Sequence, residues 1–119
     1  MVSHRFALFL GVFLLIEGIW GLFSPVVFGV LTTNLLHATI HILLGAAGFW
    51  AGRTGRARPY LLAVGALLVV VGLLRFVPVV SDLVISLLNV NVPVAIFNVV
   101  VGAICLAIVA WEARVAQPA

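Results

Sequence analysis

The sequence of 119 residues has no lysine, three acidic residues and one cysteine. Only 8% of its residues are charged, against about 25% in a soluble domain. So little polar surface cannot cover a core in water, which excludes a water-soluble globular fold. The pI near 10.6 comes from six arginines. They sit at segment ends rather than in a basic patch, so no nucleic-acid partner is expected. The single cysteine, Cys105, excludes an internal disulfide. It lies in an apolar run, where a lone thiol serves as a small apolar filler.

What is abundant is apolar surface: 66% of residues are hydrophobic and the mean hydropathy is +1.40. The length allows one domain, residues 1–119. A spanning helix needs about 20 mostly apolar residues. Four segments qualify, at about 5–23, 34–51, 59–77 and 93–112. In lipid their backbone groups must be satisfied internally, so they are read as helices. The first resembles a signal peptide in its basic start, but Glu17 interrupts the apolar run and no small-x-small cleavage site follows closely, so it is read as a retained span. The expected fold is all-α: an integral membrane four-helix bundle.

Arginine placement predicts orientation. Arg5 precedes the first span, Arg53, Arg56 and Arg58 fill the connection between the second and third, and Arg114 follows the fourth. All five fall on one side, which predicts that both termini are cytoplasmic. Trp50, Tyr60 and Trp111 would then mark the inner interface and Trp20 the outer one. On the outer side, Arg75 and Asp82 are close enough in sequence to form an ion pair. The two outer connections, "SPVVFGVLTTN" and "PVVSDLVISLLNVNVP", are too apolar for solvated loops. They are expected to fold over the bundle, the second with a short helix capped by Ser81.

The chain repeats. "RFALFLGVFLLIEGIWGLFSP" aligns with "PYLLAVGALLVVVGLLRFVP", placing Gly11 on Gly65 and Gly18 on Gly72. "NLLHATIHILLGAAG" aligns with "NVPVAIFNVVVGAIC", placing Asn34 on Asn91, His41 on Asn98 and Gly45 on Gly102. The bundle is therefore expected to consist of two repeated transmembrane hairpins, related by an axis along the membrane normal. Its glycines, among them Gly48 and Gly52, would let helices approach closely.

Polar residues inside the spans are few. His37 and His41 share a helix face. At about 1.5 Å rise per residue, Glu17, His37, His41 and Asn98 fall at one level in the outer half of the bundle. Three readings of this cluster compete. Hydrogen bonds among the four could fix helix register. Ionisable residues in a membrane often mark a proton or ion pathway. Two histidines at i and i+4 with a carboxylate could bind a metal, making Glu17, His37 and His41 an alternative metal site. A bis-histidine haem is excluded, because one helix face cannot reach both sides of a porphyrin. No Ser-His-Asp set, phosphate loop or CxxC motif occurs, so no enzyme and no cofactor are expected.

"NLLHATIHILLGAAGFWAGR" resembles the signature of an uncharacterised family of small bacterial four-helix membrane proteins. That family carries a pattern like L-H-N-x-V-H-L-L-x-G-x-x-G, which His37, His41, Gly45 and Gly48 match. Its second-half pattern is similar to N-x-x-D-N-W-L-H-L-x-L-G, which Asn91 and Gly102 match, with Asn98 in place of the final histidine. The resemblance implies a multi-pass protein of the bacterial plasma membrane without supplying an activity. The leading functional expectation is a structural or accessory subunit, or a bundle that self-associates or joins a larger membrane complex. The alternative is a proton, ion or metal transport protein using the Glu-His cluster.

Overall fold

The structure is a computed structural model that describes residues 2–116. Five helices and one hairpin follow in order: α1 (Val2–Phe23), β1 (Val26–Val27), β2 (Leu31–Thr32), α2 (Leu35–Thr54), α3 (Ala57–Leu74), α4 (Val80–Leu88) and α5 (Val92–Ala116). Helices α1, α2, α3 and α5 are each long and apolar enough to cross a membrane. Large side chains such as Phe9, Leu43, Leu62, Val70 and Ile96 lie on their exposed faces, which suits lipid and not water. The chain is a multi-pass membrane protein with the expected four spans. Their ends shift: α1 begins three residues earlier than read, and α3 stops at Leu74 because Phe76 and Val77 turn back onto Leu73 and Leu74.

Glycine sets how the spans pair. Helix α1 packs along α2, and α3 along α5. A Cβ on Gly11 would lie 2.7 Å from the Gly45 carbonyl oxygen, and one on Gly65 would lie 3.0 Å from the Gly102 carbonyl oxygen. A Cβ on Gly18 would meet Ala38 O at 2.8 Å, and one on Gly72 would meet Ala95 O at 2.6 Å. Residues aligned in the two halves thus make the same backbone contacts. The fold is a four-helix bundle of two repeated hairpins. Its centre is apolar, where Ala7, Leu10 and Leu14 of α1 meet Ala57, Leu61, Val64 and Leu68 of α3. Cys105 is fully buried in this layer, as the filler expected of it.

At one end, here called the crown, both connections fold over the bundle as expected. The first is a hairpin that the sequence reading missed, with Val26 opposite Thr32 and Val27 opposite Leu31. Phe28 and Gly29 take φ of 55° and 74° at its tip. Val27 and Leu31 pack on Val84, Val90, Val94 and Ala95, so the two connections share one apolar cluster. The short helix α4 exists, but Ser81 does not cap it. A three-residue turn at Val79 (φ 72°) joins Val80 N–H to Pro78 O, and the helix starts at once, with Ser81 N–H donating to Val77 O.

Asparagines bolt the crown. Asn34 and Asn91, aligned by the repeat, cap α2 and α5 by accepting from His37 N–H (2.8 Å) and Val94 N–H (3.0 Å). Each then donates its amide to the opposite hairpin's connection: Asn34 to Leu87 O (2.7 Å), Asn91 to Val30 O (2.9 Å). We expect Asn91→Ala to cost about 1–2 kcal/mol, from one lost cap and one lost hydrogen bond between the hairpins. Unfolding in bicelles checks this, and Asn34→Ala should match it.

Candidate functional site

The polar residues of the spans gather just beneath the crown. Glu17 and His41 meet across the α1–α2 interface, with His41 Nδ1 at 3.1 Å from Glu17 Oε1 and both side chains about 95% buried. His37 lies one turn before His41, and the two rings stand edge to face with centroids 4.3 Å apart. Asn98 reaches the same space from α5. Together His37, His41 and Asn98 form the polar end of a cavity of about 120 Å³. Its apolar walls are Ile40 and Leu44 of α2, Leu67, Leu68 and Val71 of α3, and Leu88 of α4. The four residues placed at one level by helix-rise counting therefore converge.

They do not converge as a closed network. His37 spends its Nδ1 on Leu88 O, at 3.0 Å. A carbonyl only accepts, so Nδ1 carries the hydrogen and Nε2 is the acceptor edge of a neutral ring. Leu88 belongs to a run of four carbonyls at the end of α4, each met by a side chain from elsewhere. Asn34 takes Leu87, His37 takes Leu88, Thr32 takes Asn89 and Arg75 takes Val90. Leu87 and Leu88 are acceptors that the helix end leaves open, and Asn89 and Val90 follow directly after it. The expected Arg75–Asp82 ion pair is corrected by this. Arg75 Nε donates to Val90 O at 2.8 Å, and among the described residues the ion pairs are Glu17–His41 and Arg58–Glu112. The reason is physical: buried carbonyls need donors, while Asp82 is exposed in the first turn of α4, where it is hydrated and favoured by the helix dipole.

Two buried oxygens in the site lack partners, Glu17 Oε2 and Asn98 Oδ1. Orphaned buried acceptors are uncommon and call for a water, an ion or a functional reason. Among the described residues no three His, Cys, Asp or Glu side chains are arranged to hold a metal ion. Glu17, His37 and His41, the alternative metal set, do not form such a group.

A second buried carboxylate escaped the sequence reading. At the opposite end, the base, Glu112 of α5 is 2% exposed. It accepts from Ser3 N–H at 2.8 Å and pairs with Arg58 Nε at 3.1 Å. The available signal was its rarity, one of three acids in the chain. Tyr60 is also more than an interface anchor: it lies against Gly48, and its hydroxyl donates to Leu44 O at 2.7 Å.

The family model for a domain of unknown function, DUF4383, matches residues 25–111. The chain belongs to this family. The matched part of the DUF4383 chain runs from the crown hairpin through α5 and takes in His37, His41 and Asn98, while Glu17 lies before it. No curated protein and no solved structure matches the chain.

Proposed function

We propose that this DUF4383 protein is a binding protein of the bacterial plasma membrane, with its site in the cavity beneath the crown and a proton exchanged at the Glu17–His41 pair. On this reading it is not an enzyme. Both termini and the Arg53–Arg58 connection face the cytoplasm, in line with the five arginines at the base, and the crown faces outward.

One observation carries the proposal. Asn98 Oδ1 is buried without a partner in a cavity lined by two histidines, and Glu17, paired with one of them, has its Oε2 buried without a partner. A cluster kept only to fix helix register would close on itself, and register is already set by the glycine interfaces and the Asn34 and Asn91 brackets. Beneath the cavity lies the buried apolar layer of Leu14, Leu61, Val64 and Cys105, which offers no polar group to continue the site toward the base. Infrared difference spectra between neutral and acidic pH test the proposal. A carboxylic C=O band should appear on acidification, vanish in Glu17→Gln and move in His41→Asn. His41→Asn copies the residue that the second hairpin carries at that place, so the fold should survive. Identical spectra from wild type and Glu17→Gln would defeat the reading.

A second reading, an accessory or self-associating bundle, draws on the crown. Phe28, Val30, Phe76, Val79, Leu83 and Leu87 are exposed there, above the spans, where a partner or a second copy would cover them. Single-molecule mass measurement in nanodiscs decides it: particles holding one chain, with no companion protein co-purifying, would remove it.

A further inference from the structure

The repeat gives the bundle two equivalent seams, one between α2 and α3 and one between α1 and α5. Aligned residues line them. Leu67, Ile40 and Leu44 in the first correspond to Phe13, Phe97 and Val101 in the second. In the second seam the phenylalanines stack: Phe13 lies 5.5 Å from Phe97 and 5.8 Å from Phe28, ring centroid to centroid. In the first seam the same places hold aliphatic side chains, and Leu67 is 44% exposed to the lipid face. The cavity beneath the crown therefore opens sideways between α2 and α3, and its counterpart is lined wholly by apolar side chains.

The lining defines a guest. Six aliphatic side chains surround an apolar body, and the polar groups stand at one end. Each histidine there has its Nδ1 turned to a protein oxygen, which leaves the Nε2 edge for a guest. Asn98 is 2% exposed, and its Oδ1 is buried without a partner. A buried amide oxygen without a partner is matched by a hydroxyl, which can donate to it. An apolar cavity of about 150 Å³ holds benzene, and this one, at about 120 Å³, is close to that size.

We propose that the cavity takes a small hydroxyl-bearing apolar molecule, of the size and kind of phenol, which enters from the bilayer between α2 and α3. Its hydroxyl donates to Asn98 Oδ1, the buried acceptor without a partner, while its body lies among Leu44, Leu67, Leu68 and Val71. This deepens the binding reading above and rests on it. Asn98 supplies the acceptor and with it the specificity for a hydroxyl over a hydrocarbon, the histidines flank it, and the aliphatic seam supplies the door.

Histidine 15N resonances of the full chain in nanodiscs, titrated with phenol and separately with benzene, test this. Phenol should bind saturably and move the Nε2 signals of His37 or His41, at least about tenfold more tightly than benzene, since benzene leaves the polar end unpaired. Ile40→Phe with Leu67→Phe puts two rings into the space that the guest would fill and should abolish the shift. If that variant does not fold, Asn98→Leu takes its place: it keeps the volume, and phenol and benzene should then bind alike. Non-saturating shifts, equal binding of the two probes to wild type, or undiminished phenol binding by the folded seam variant would each overturn the proposal. So would shifts explained by water alone. The infrared assay separates the two levels: a Glu17 band without phenol binding sinks the guest and spares the proton, whereas loss of both sinks the binding reading itself.

Discussion

Gly45→Val is expected to cost about 3 kcal/mol or more, the upper range for overpacking. The new Cβ would stand 2.7 Å from Gly11 O and 2.7 Å from Leu15 N. Both are backbone atoms of a helix, so no rotamer change relieves the clash. Helix α1 must move away from α2, and the Gly18–Ala38 approach and the Glu17–His41 contact go with it. The repeat supplies a matched experiment. Gly102→Val would set its Cβ 2.6 Å from Gly65 O and 2.9 Å from Val69 N, and should cost about as much. Gly48→Ala is the contrast. Its Cβ meets the Tyr60 phenol at 2.5 Å, a side chain that can swing aside for the loss of one hydrogen bond, about 1 kcal/mol. Reversible unfolding in bicelles, followed by helicity, ranks the three. A Gly45→Val cost near that of Gly48→Ala would mean that α1 and α2 are not in backbone contact.

The spans and the repeat were legible because lipid imposes them. Length and hydropathy define a membrane helix, and aligned glycines mark the close approaches. The cluster of Glu17, His37, His41 and Asn98 was legible for the same reason, since helix rise converts sequence position into depth. The crown was legible in part: its fold over the bundle and its short helix were read, and its hairpin was not. Its hairpin has Phe28 at positive φ and an apolar sequence that no turn rule singles out, and its stability comes from Val84, Val90 and Val94, far away in the chain. Arg75 was read against its neighbour Asp82, when the stronger demand came from the open carbonyls at the end of α4. Asn34 and Asn91 were aligned correctly, yet their exchange of hydrogen bonds between hairpins depends on tertiary contact. The repeat also says where the two halves part. Glu17 corresponds to Val71 and His41 to Asn98, so the ionisable pair exists once, and the seam phenylalanines exist once on the other side. The bundle keeps symmetry in its backbone contacts and breaks it in the chemistry of its two seams.

Glu112→Ala is expected to cost about 2–3 kcal/mol, because it strips a buried acceptor from groups that cannot all reach water. Ser3 is fully buried, and its N–H is one of the open donors at the start of α1. A carboxylate there is favoured both by the hydrogen bond and by the helix dipole. Arg58 contributes less to the loss, since its side chain is 36% exposed and can rehydrate. Glu112→Gln should therefore be milder, about 1 kcal/mol, because it keeps an acceptor for Ser3 and gives up only the charge. The clamp joins α1 of one hairpin to α3 and α5 of the other at the base, while the asparagines join the hairpins at the crown. Its removal should be local. Hydrogen exchange of Glu112→Ala should quicken at the first turn of α1 and the last turns of α5 and leave the amides capped by Asn34 and Asn91 protected. Uniform loss of protection would mean that the two ends hold the bundle as a single cooperative unit, and that the base clamp is part of what keeps the crown closed.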